Sequence, residues 1–170
     1  MRVILSGGGT AGHIYPALAL ASELRARGHE VLYVGTPDSM EERLAVHEGL
    51  AFEAIAVRPL EQNYRRWRGP NRAHYSTLIT APFSWWRAQK PAKRLIGEFQ
   101  PDVVVGFGGY VCVPVVWAAQ SAGIPVVLHE QNSVIGKANI QFRRSVDALF
   151  PDVHTGYPML CPHLSGLYYL

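Results

Sequence analysis

Gly7-Gly8-Gly9-Thr10-Ala11-Gly12-His13 stands between an apolar run, Val3-Ile4-Leu5, and a helical pattern of apolar residues. Successive glycines let backbone N–H groups face an anion without obstruction by a Cβ atom. The helix that follows adds its unpaired first-turn donors and the positive end of its dipole. The sequence therefore predicts a strand, a phosphate-binding glycine loop and a helix, with a histidine where the loop meets the helix.

The helix after this loop is indicated by apolar residues at i, i+3, i+4 and i+7 spacing: Ala17, Leu20, Ala21 and Leu24. Pro16 is expected in its first turn, where a missing N–H costs little, and Gly28 at its C-terminal end. His13 then lies at the helix N-terminus, whose dipole favours the neutral imidazole. Beside a phosphate-binding loop, we interpret His13 as a general base rather than as a ring that only holds the loop.

The spacing Gly7-x-Gly9-x-x-Gly12 also fits the fingerprint of a dinucleotide-binding oxidoreductase. That fingerprint requires an acidic residue for the ribose at the end of the second strand. Here the second strand runs into Gly35-Thr36-Pro37, and Asp38 comes late. The dinucleotide alternative therefore lacks its second requirement and is disfavoured.

Length and composition fit one α/β domain of 170 residues, with 48% hydrophobic and 17% charged residues. The two cysteines, Cys112 and Cys161, are too few for a disulfide framework. With no leader pattern at the N-terminus, we expect reduced thiols in the cytoplasm. The residues from Val103 to Leu128 carry no charge, but glycines and prolines interrupt them too often for a membrane-spanning helix.

Strand and helix patterns alternate along the chain. Strands are predicted at residues 3–5, 30–34, 52–57, 102–106, 124–128 and 148–150. Further helices are predicted at 39–46, through Trp117 and Ala119, and at 136–144, with an irregular-to-helical segment at 64–99. Such alternation predicts an open parallel sheet whose ligands gather at the carboxyl ends of its strands. The glycine-rich segments at 7–12 and 108–110 and the turn at 129–132 would then meet at one cleft.

Three motifs in consistent order resemble those of one enzyme family, and the resemblance runs from Met1 to about Phe150. The motifs are Gly8-Gly9-Thr10-Ala11-Gly12-His13 with Ile14-Tyr15-Pro16-Ala17, Gly108-Gly109-Tyr110 with Pro114, and Ile124-Pro125-Val126-Val127-Leu128-His129-Glu130-Gln131-Asn132. Three separate motifs at compatible spacing are far more specific than one glycine loop. On these residues the chain is similar to the N-terminal half of the MurG family of glycosyltransferases.

The resemblance implies an α/β fold with a Rossmann-like parallel sheet, which forms the N-terminal half of a GT-B glycosyltransferase. Residues 1–150 would be its lipid acceptor-binding domain. The implied activity is an inverting, metal-independent hexosyl transfer that uses no cofactor. GlcNAc would move from UDP-GlcNAc to undecaprenyl-pyrophosphoryl-MurNAc-pentapeptide, which converts lipid I to lipid II in peptidoglycan biosynthesis.

The resemblance also implies roles for individual residues. The acceptor's pyrophosphate would be held by Gly8, Gly9, Gly108, Gly109 and Tyr110. His13 would take the proton from the muramyl C4 hydroxyl. The side of the cleft that faces UDP-GlcNAc would be lined by Thr10, Ala11, Gly12 and Asn132. Glu130 is interpreted as a residue that orients a loop through hydrogen bonds to backbone N–H groups, because a base is already supplied.

The segment from Tyr64 to Arg94 combines basic and aromatic residues. It holds eight of the chain's 16 Lys and Arg residues and no acidic residue: Arg65, Arg66, Arg68, Arg72, Arg87, Lys90, Lys93 and Arg94. Basic groups beside exposed aromatic side chains are typical of proteins that bind an anionic membrane surface. We expect peripheral attachment to the cytoplasmic face of the cell membrane through Arg65, Arg68, Arg72, Leu78, Ile79, Phe83, Trp85 and Trp86. Nucleic acid is disfavoured as a partner, because the net charge is only +3 and no recognised reader motif is present.

Residues 151–170 depart from the family pattern. Thr155-Gly156-Tyr157-Pro158-Met159-Leu160 stand where a Thr-Gly-Asn-Pro-Val-Arg-like segment is usual, and nothing here supplies a donor-binding domain. One interpretation is a fragment or truncated form of a family transferase that is inactive alone. The alternative is a non-catalytic, membrane-anchoring acceptor-binding subunit that needs a separate donor-binding partner. The lack of helical or strand periodicity after Asp152 favours the first interpretation.

Overall fold

The computed structural model describes residues 1–57 and 73–151, and for residues 73–85 it describes the backbone alone. The elements in these residues are β1 (Arg2–Ser6), α1 (Ala11–Ala26), β2 (Glu30–Gly35), α2 (Met40–His47), β3 (Ala51–Ala54), α3 (Ala73–Phe99), β4 (Val103–Gly106), α4 (Cys112–Ser121), β5 (Val126–Glu130), α5 (Lys137–Phe142) and β6 (Ala148–Pro151). Strands and helices alternate as the hydrophobic pattern predicts.

In the described residues, these strands form one parallel sheet in the order β3-β2-β1-β4-β5-β6. The order reverses between β1 and β4, which are neighbours in the sheet but far apart in the chain. This is the topology of a Rossmann-like sheet, in which ligands bind beyond the carboxyl ends of the strands where the order reverses. The predicted fold class is therefore confirmed, and β1 and β4 carry the two glycine-rich segments at that point.

The sheet is covered on both faces, as continuous apolar strands require. On one face, Ala17 and Ala21 of α1 and Ala45 of α2 pack with buried residues of β1 and β2. On the other face, α3 and α4 pack against each other and against residues of β4 and β5. The two cores hold β1 and β4 rigidly from both sides, so their carboxyl ends are fixed in space.

Helix α1 starts earlier than predicted, which moves Pro16 out of its first turn. Thr10 is extended, with φ of −145° and ψ of 151°, and the helix begins at Ala11. Pro16 therefore lies inside the helix. Because proline has no N–H, the Gly12 carbonyl lacks the donor that a helix normally supplies four residues on. The prediction for Pro16 was wrong, and the helix start lies closer to the glycines than expected.

Strand β5 also differs from its predicted range. The Ile124 N–H donates to the Ala119 carbonyl at 3.0 Å and so completes the C-terminal end of α4, which removes Ile124 from the strand. At the other end, His129 and Glu130 pair with Phe150 and Pro151 of β6. The expected turn at 129–132 therefore starts only after Glu130. Strand β3 is shorter than predicted, because its partner β2 ends at Gly35.

Helix α3 is the longest helix in the described residues and falls within the segment predicted as irregular to helical. Its C-terminal half packs on the sheet through Ala88, Ala92, Leu95 and Ile96. Across residues 1–57 and 73–151, we find no helix with both the length and the apolar character that a bilayer span demands.

Candidate functional site

Two glycine loops start side by side at the carboxyl edge of the sheet. The first glycine loop, residues 7–10, follows β1, and the second glycine loop, residues 107–111, follows β4. Ser6 pairs with Gly106 in register, and the Phe107 N–H donates to the Ser6 carbonyl at 2.8 Å. The pairing of β1 with β4 thus brings together two segments that are distant in sequence.

The two loops touch through their backbones. Gly109 has a φ of +82°, and a Cβ atom placed on it would collide with the Gly8 carbonyl. Gly9 has a φ of +83°, and its Cβ position lies 3.2 Å from Cε1 of Tyr110. Both φ values lie in the left-handed region that side chains disfavour. Glycine is therefore required for the backbone conformation of both loops and for their close approach.

Solvent reaches only part of each loop. Gly8 and Gly108 are buried where the loops meet. Residues 9–12 are exposed, and Gly109 and Tyr110 are half-buried. An anion that enters from solvent therefore meets the exposed end of the first loop, the start of α1 and the rim of the second loop. Backbone donors at a helix start are suited to such an anion.

His13 lies between the two loops. Its Nδ1 is 2.7 Å from Oγ1 of Thr10, and its ring also donates a hydrogen bond to the Gly8 carbonyl. Its Cδ2 and Nε2 both lie 3.1 Å from the Cβ position of Gly108. Burial lowers the pKa of His13, against smaller opposing effects from the negative charge of Glu130 and from the Gly8 carbonyl. The ring is therefore neutral at physiological pH, and the main cause is burial, where the sequence had pointed to the helix dipole.

Glu130 ends β5 and is buried, with 1% of its surface exposed. Its Oε1 accepts hydrogen bonds from the Asn132 backbone N–H at 3.0 Å and from Asn132 Nδ2 at 2.8 Å. Its Oε2 accepts from the Gly136 N–H at 2.8 Å and from Asn139 Nδ2 at 2.9 Å. Burial raises the pKa of Glu130, but these four bonds outweigh it and hold the pKa below its usual range. Glu130 orients its loop as the sequence predicted.

Asn132 is exposed at the edge of the sheet, next to the loop that Glu130 fixes. It follows β5, while Thr10, Ala11 and Gly12 follow β1, and β4 lies between these strands. The Phe107 ring of the second loop packs on the His129 ring of β5, with centroids 5.2 Å apart. The three predicted segments are thus gathered at the carboxyl edge of three adjacent strands.

Glu41 is a residue of this region that the sequence did not reveal. Its side chain is buried, and its Oε1 accepts hydrogen bonds from the Thr36 hydroxyl at 2.6 Å and from the Thr36 N–H at 3.3 Å. Its carboxylate fills the space that a Cβ atom on Gly8 would need. In sequence, Glu41 looks like an exposed acidic residue in the first turn of α2, and only the packing of α2 below the first loop distinguishes it.

Asn139 was also missed. It lies inside α5 and is 1% exposed, and its Nδ2 donates to Glu130 and, at 3.2 Å, to the His129 carbonyl. The same Nδ2 lies 3.6 Å from the Cβ position of Gly108. A buried amide indicates a hydrogen-bond partner nearby, because buried polar groups are almost always paired. The sequence around Asn139 does not show that this amide is buried, so the signal could not be used.

The residues predicted to face a membrane are only partly described. Arg65, Arg68 and Arg72 lie outside the described residues. Leu78, Ile79, Phe83 and Trp85 lie in α3, in the part where the backbone alone is described. Trp86 of α3 is 67% exposed, and Lys90 and Lys93 are exposed further along the helix.

The described residues contain no group of three or more His, Cys, Asp or Glu side chains arranged to hold a metal ion. Cys112 is buried and free, and burial raises the pKa of its thiol to about 12. It therefore acts as a packing residue at neutral pH and not as a nucleophile. Cys161 lies outside the described residues.

The model of the Glycosyltransferase family 28 N-terminal domain matches residues 3–151. The chain belongs to this family. A relative from Halalkalibacterium halodurans is 40% identical over 98% of this chain and 47% of its own length. A relative from Neisseria meningitidis serogroup C is 40% identical over 96% of this chain and 42% of its own length. Both are named UDP-N-acetylglucosamine--N-acetylmuramyl-(pentapeptide) pyrophosphoryl-undecaprenol N-acetylglucosamine transferase, and this family 28 chain spans less than half of their length.

Solved structures agree with the family. The crystal structure of MurG from Acinetobacter baumannii matches with a TM-score of 0.77 and 33% identity, over 94% of this chain and 43% of that one. The Streptomyces sp. SF2575 glycosyltransferase SsfS6 matches with a TM-score of 0.56 and 21% identity, over 81% of this chain and 41% of that one, which shows the fold alone. The predicted architecture, the N-terminal half of a GT-B glycosyltransferase, is confirmed.

Proposed function

We propose that this family 28 domain is the acceptor-binding half of an inverting hexosyltransferase that moves GlcNAc from UDP-GlcNAc to undecaprenyl-pyrophosphoryl-MurNAc-pentapeptide. The observation that carries the proposal is the place of His13, a neutral ring set between two touching glycine loops. The names of relatives at 40% identity support the choice of substrates. The transfer would convert lipid I to lipid II in peptidoglycan synthesis.

The acceptor's pyrophosphate would bind at the exposed rim of the loops, at Gly9, Gly109 and Tyr110. Gly8 and Gly108 would contribute by holding the loops together behind it, since both are buried. The N-terminal end of α1 would add its positive dipole. A diphosphate held there places its sugar beside His13, because the ring lies between the same two loops.

In the proposed reaction, the muramyl C4 oxygen attacks the anomeric carbon of GlcNAc and its proton passes to His13. The neutral ring carries one proton and leaves one nitrogen unprotonated, and that nitrogen accepts the proton. The bond from the anomeric carbon to UDP breaks, and its electron pair leaves on the UDP oxygen. Attack and departure on opposite faces of the sugar invert its configuration.

Thr10, Ala11, Gly12 and Asn132 would face the donor. All four are exposed at the carboxyl edge, and the Asn132 amide is held in place by Glu130. First-turn N–H groups of α1 would stabilise the negative charge that develops on the departing UDP. The nucleotide itself would be bound by a donor-binding domain or subunit, for which the relatives' greater length leaves room.

The acceptor's lipid would place the domain at the anionic inner surface of the cell membrane as a peripheral protein. The basic and aromatic segment around α3 would provide the contact, and its described exposed members include Trp86, Lys90 and Lys93.

The test joins residues 1–151 to the donor-binding half of Acinetobacter baumannii MurG and measures GlcNAc transfer to a lipid I analogue with a short lipid. We expect transfer, and we expect His13→Ala to lower turnover by about 10²–10⁴-fold, the range of a general base. Affinity for UDP-GlcNAc should remain nearly unchanged. An inactive fusion that still binds both substrates, or an active His13→Ala variant, would contradict the proposal.

A further inference from the structure

Glu130 is engaged in a way that excludes a role as a proton acceptor from substrate. Each of its carboxylate oxygens accepts two N–H bonds, from Asn132 twice, from Gly136 and from Asn139. Every partner is a donor, so the carboxylate must be ionised, since a proton on either oxygen would face an N–H group. The Glu130 carboxylate is therefore a buried negative charge that four hydrogen bonds hold in place.

These contacts reach both sides of the site. On one side, Glu130 fixes Asn132, which is exposed at the cleft. On the other side, Asn139 donates to Glu130 at 2.9 Å and lies 3.6 Å from the Cβ position of Gly108. The His13 ring lies 3.1 Å from the same Cβ position. Hydrogen bonds therefore connect Asn132 through Glu130 to Asn139, and the Asn139 amide and the His13 ring flank one position on Gly108.

The negative charge of Glu130 also raises the pKa of His13, because it stabilises the protonated ring. Other ionisable groups surround the two loops: Glu41 behind Gly8, Tyr110 over Gly9, His129 against Phe107, and Cys112 behind Gly106. Of these, Glu41 is the other carboxylate, and its contacts are with the first loop and Thr36. Glu130 is thus the carboxylate whose charge opposes the burial of His13.

We propose that Glu130 is a positioning residue that ties the donor-facing amide of Asn132 to the second glycine loop through Asn139 and places a compensating negative charge beside His13. This inference rests on the proposed function of His13 as the base. When His13 takes the acceptor's proton, the new imidazolium lies in the field of a carboxylate that does not move. The same carboxylate holds Asn132 in a fixed position relative to the two glycine loops.

The first experiment follows the titration of the His13 ring by NMR in the 170-residue chain, with its signal assigned by its loss in His13→Ala. Glu130→Gln keeps the size of the side chain and removes the charge, so we expect the midpoint of His13 to shift to lower pH. The matched control, Asn139→Ala, breaks one of the same hydrogen bonds and keeps the charge. It should leave the midpoint near its wild-type value and move the amide signals of Gly108 and Asn132.

Equal shifts in the two variants, or no downward shift in Glu130→Gln, would overturn the inference. The wild-type chain gives a second readout that requires no change at Glu130. With ¹³C-labelled glutamate, the carboxyl signal of Glu130 must inflect at the midpoint of His13, and this inflection must vanish in His13→Ala. Its absence also overturns the inference. Neither readout uses a substrate, so a failure here is distinct from a failure of GlcNAc transfer by the fusion.

Discussion

His13 experiences three influences on its proton affinity, and they act in different directions. Burial between the loops lowers its pKa, while the Glu130 charge and the Gly8 carbonyl raise it. The net pKa lies below the ordinary value of a histidine. A base needs a low enough affinity to be free of protons at working pH and a high enough affinity to take one in the transition state. The opposing influences on His13 are of the kind that the proposed base requires.

The lowered pKa of His13 predicts a loss of stability in acid. Between the folded pKa and the unfolded value near 6.5, the unfolded chain binds more protons, so the free energy of unfolding falls as the pH falls. Above the unfolded value this contribution is complete. Urea unfolding from about pH 8 to about pH 5 measures it in the wild type and in His13→Gln. We expect a shallower acid loss in the variant, and an equal or steeper loss would contradict the prediction.

Single residues could be predicted from the sequence where their neighbours in the chain determine their place in the structure. Consecutive glycines followed by His13 mark a loop and a helix start, and Glu130 next to a turn marks an orienting acid. Glu41 and Asn139 could not be found in this way. Their burial results from contacts with Gly8 and Gly108, which lie far from them in sequence.

At the scale of elements, the site depends on how closely the two glycine loops approach each other. Gly109 would place a Cβ atom on the Gly8 carbonyl, whereas Gly123, with a φ of +70°, has open space around it. Both glycines have left-handed φ values, so alanine at either position costs about 1 kcal/mol in backbone strain. Only at Gly109 does the substitution also push the loops apart.

Gly109→Ala and its matched control Gly123→Ala therefore separate backbone strain from loop contact. We expect both variants to lose about 1 kcal/mol of stability from strain, with a further loss in Gly109→Ala from the collision. Binding of a short-chain lipid I analogue should be lost in Gly109→Ala alone. Urea unfolding and calorimetric titration measure the two effects. Equal loss of binding in both variants would show that the contact between the loops does not matter for the acceptor.

Element boundaries show where tertiary contacts overrule a local pattern. The apolar run at 124–128 was predicted as a strand, yet the N–H of Ile124 closes α4 and β5 extends to Glu130 by pairing with β6. This extension places Glu130 at the end of a paired strand, at the edge of the candidate site. A carboxylate in a loose turn would lack that rigid support.

At the scale of the whole domain, the two faces of the sheet differ in what their helices expose. Helices α1 and α2 cover one face, and α3 and α4 cover the other. The basic and aromatic segment of the sequence belongs to α3 and the residues before it. A membrane contact through α3 would therefore act on one face of the molecule and leave α1 and α2 facing away from the bilayer.

This asymmetry predicts how charge removal affects membrane binding. Lys90 and Lys93 are exposed on α3, and each basic residue near an anionic surface contributes about 1 kcal/mol, so removal of both should weaken binding by about thirtyfold. Co-sedimentation with phosphatidylglycerol vesicles compares Lys90→Gln/Lys93→Gln with Arg27→Gln/Arg43→Gln, which removes the same charge from the residue directly after α1 and from α2. The control should bind nearly as the wild type does, because its charges lie on the opposite face of the sheet. Equal weakening in both double variants would mean that net charge alone drives attraction and that α3 is not the contact.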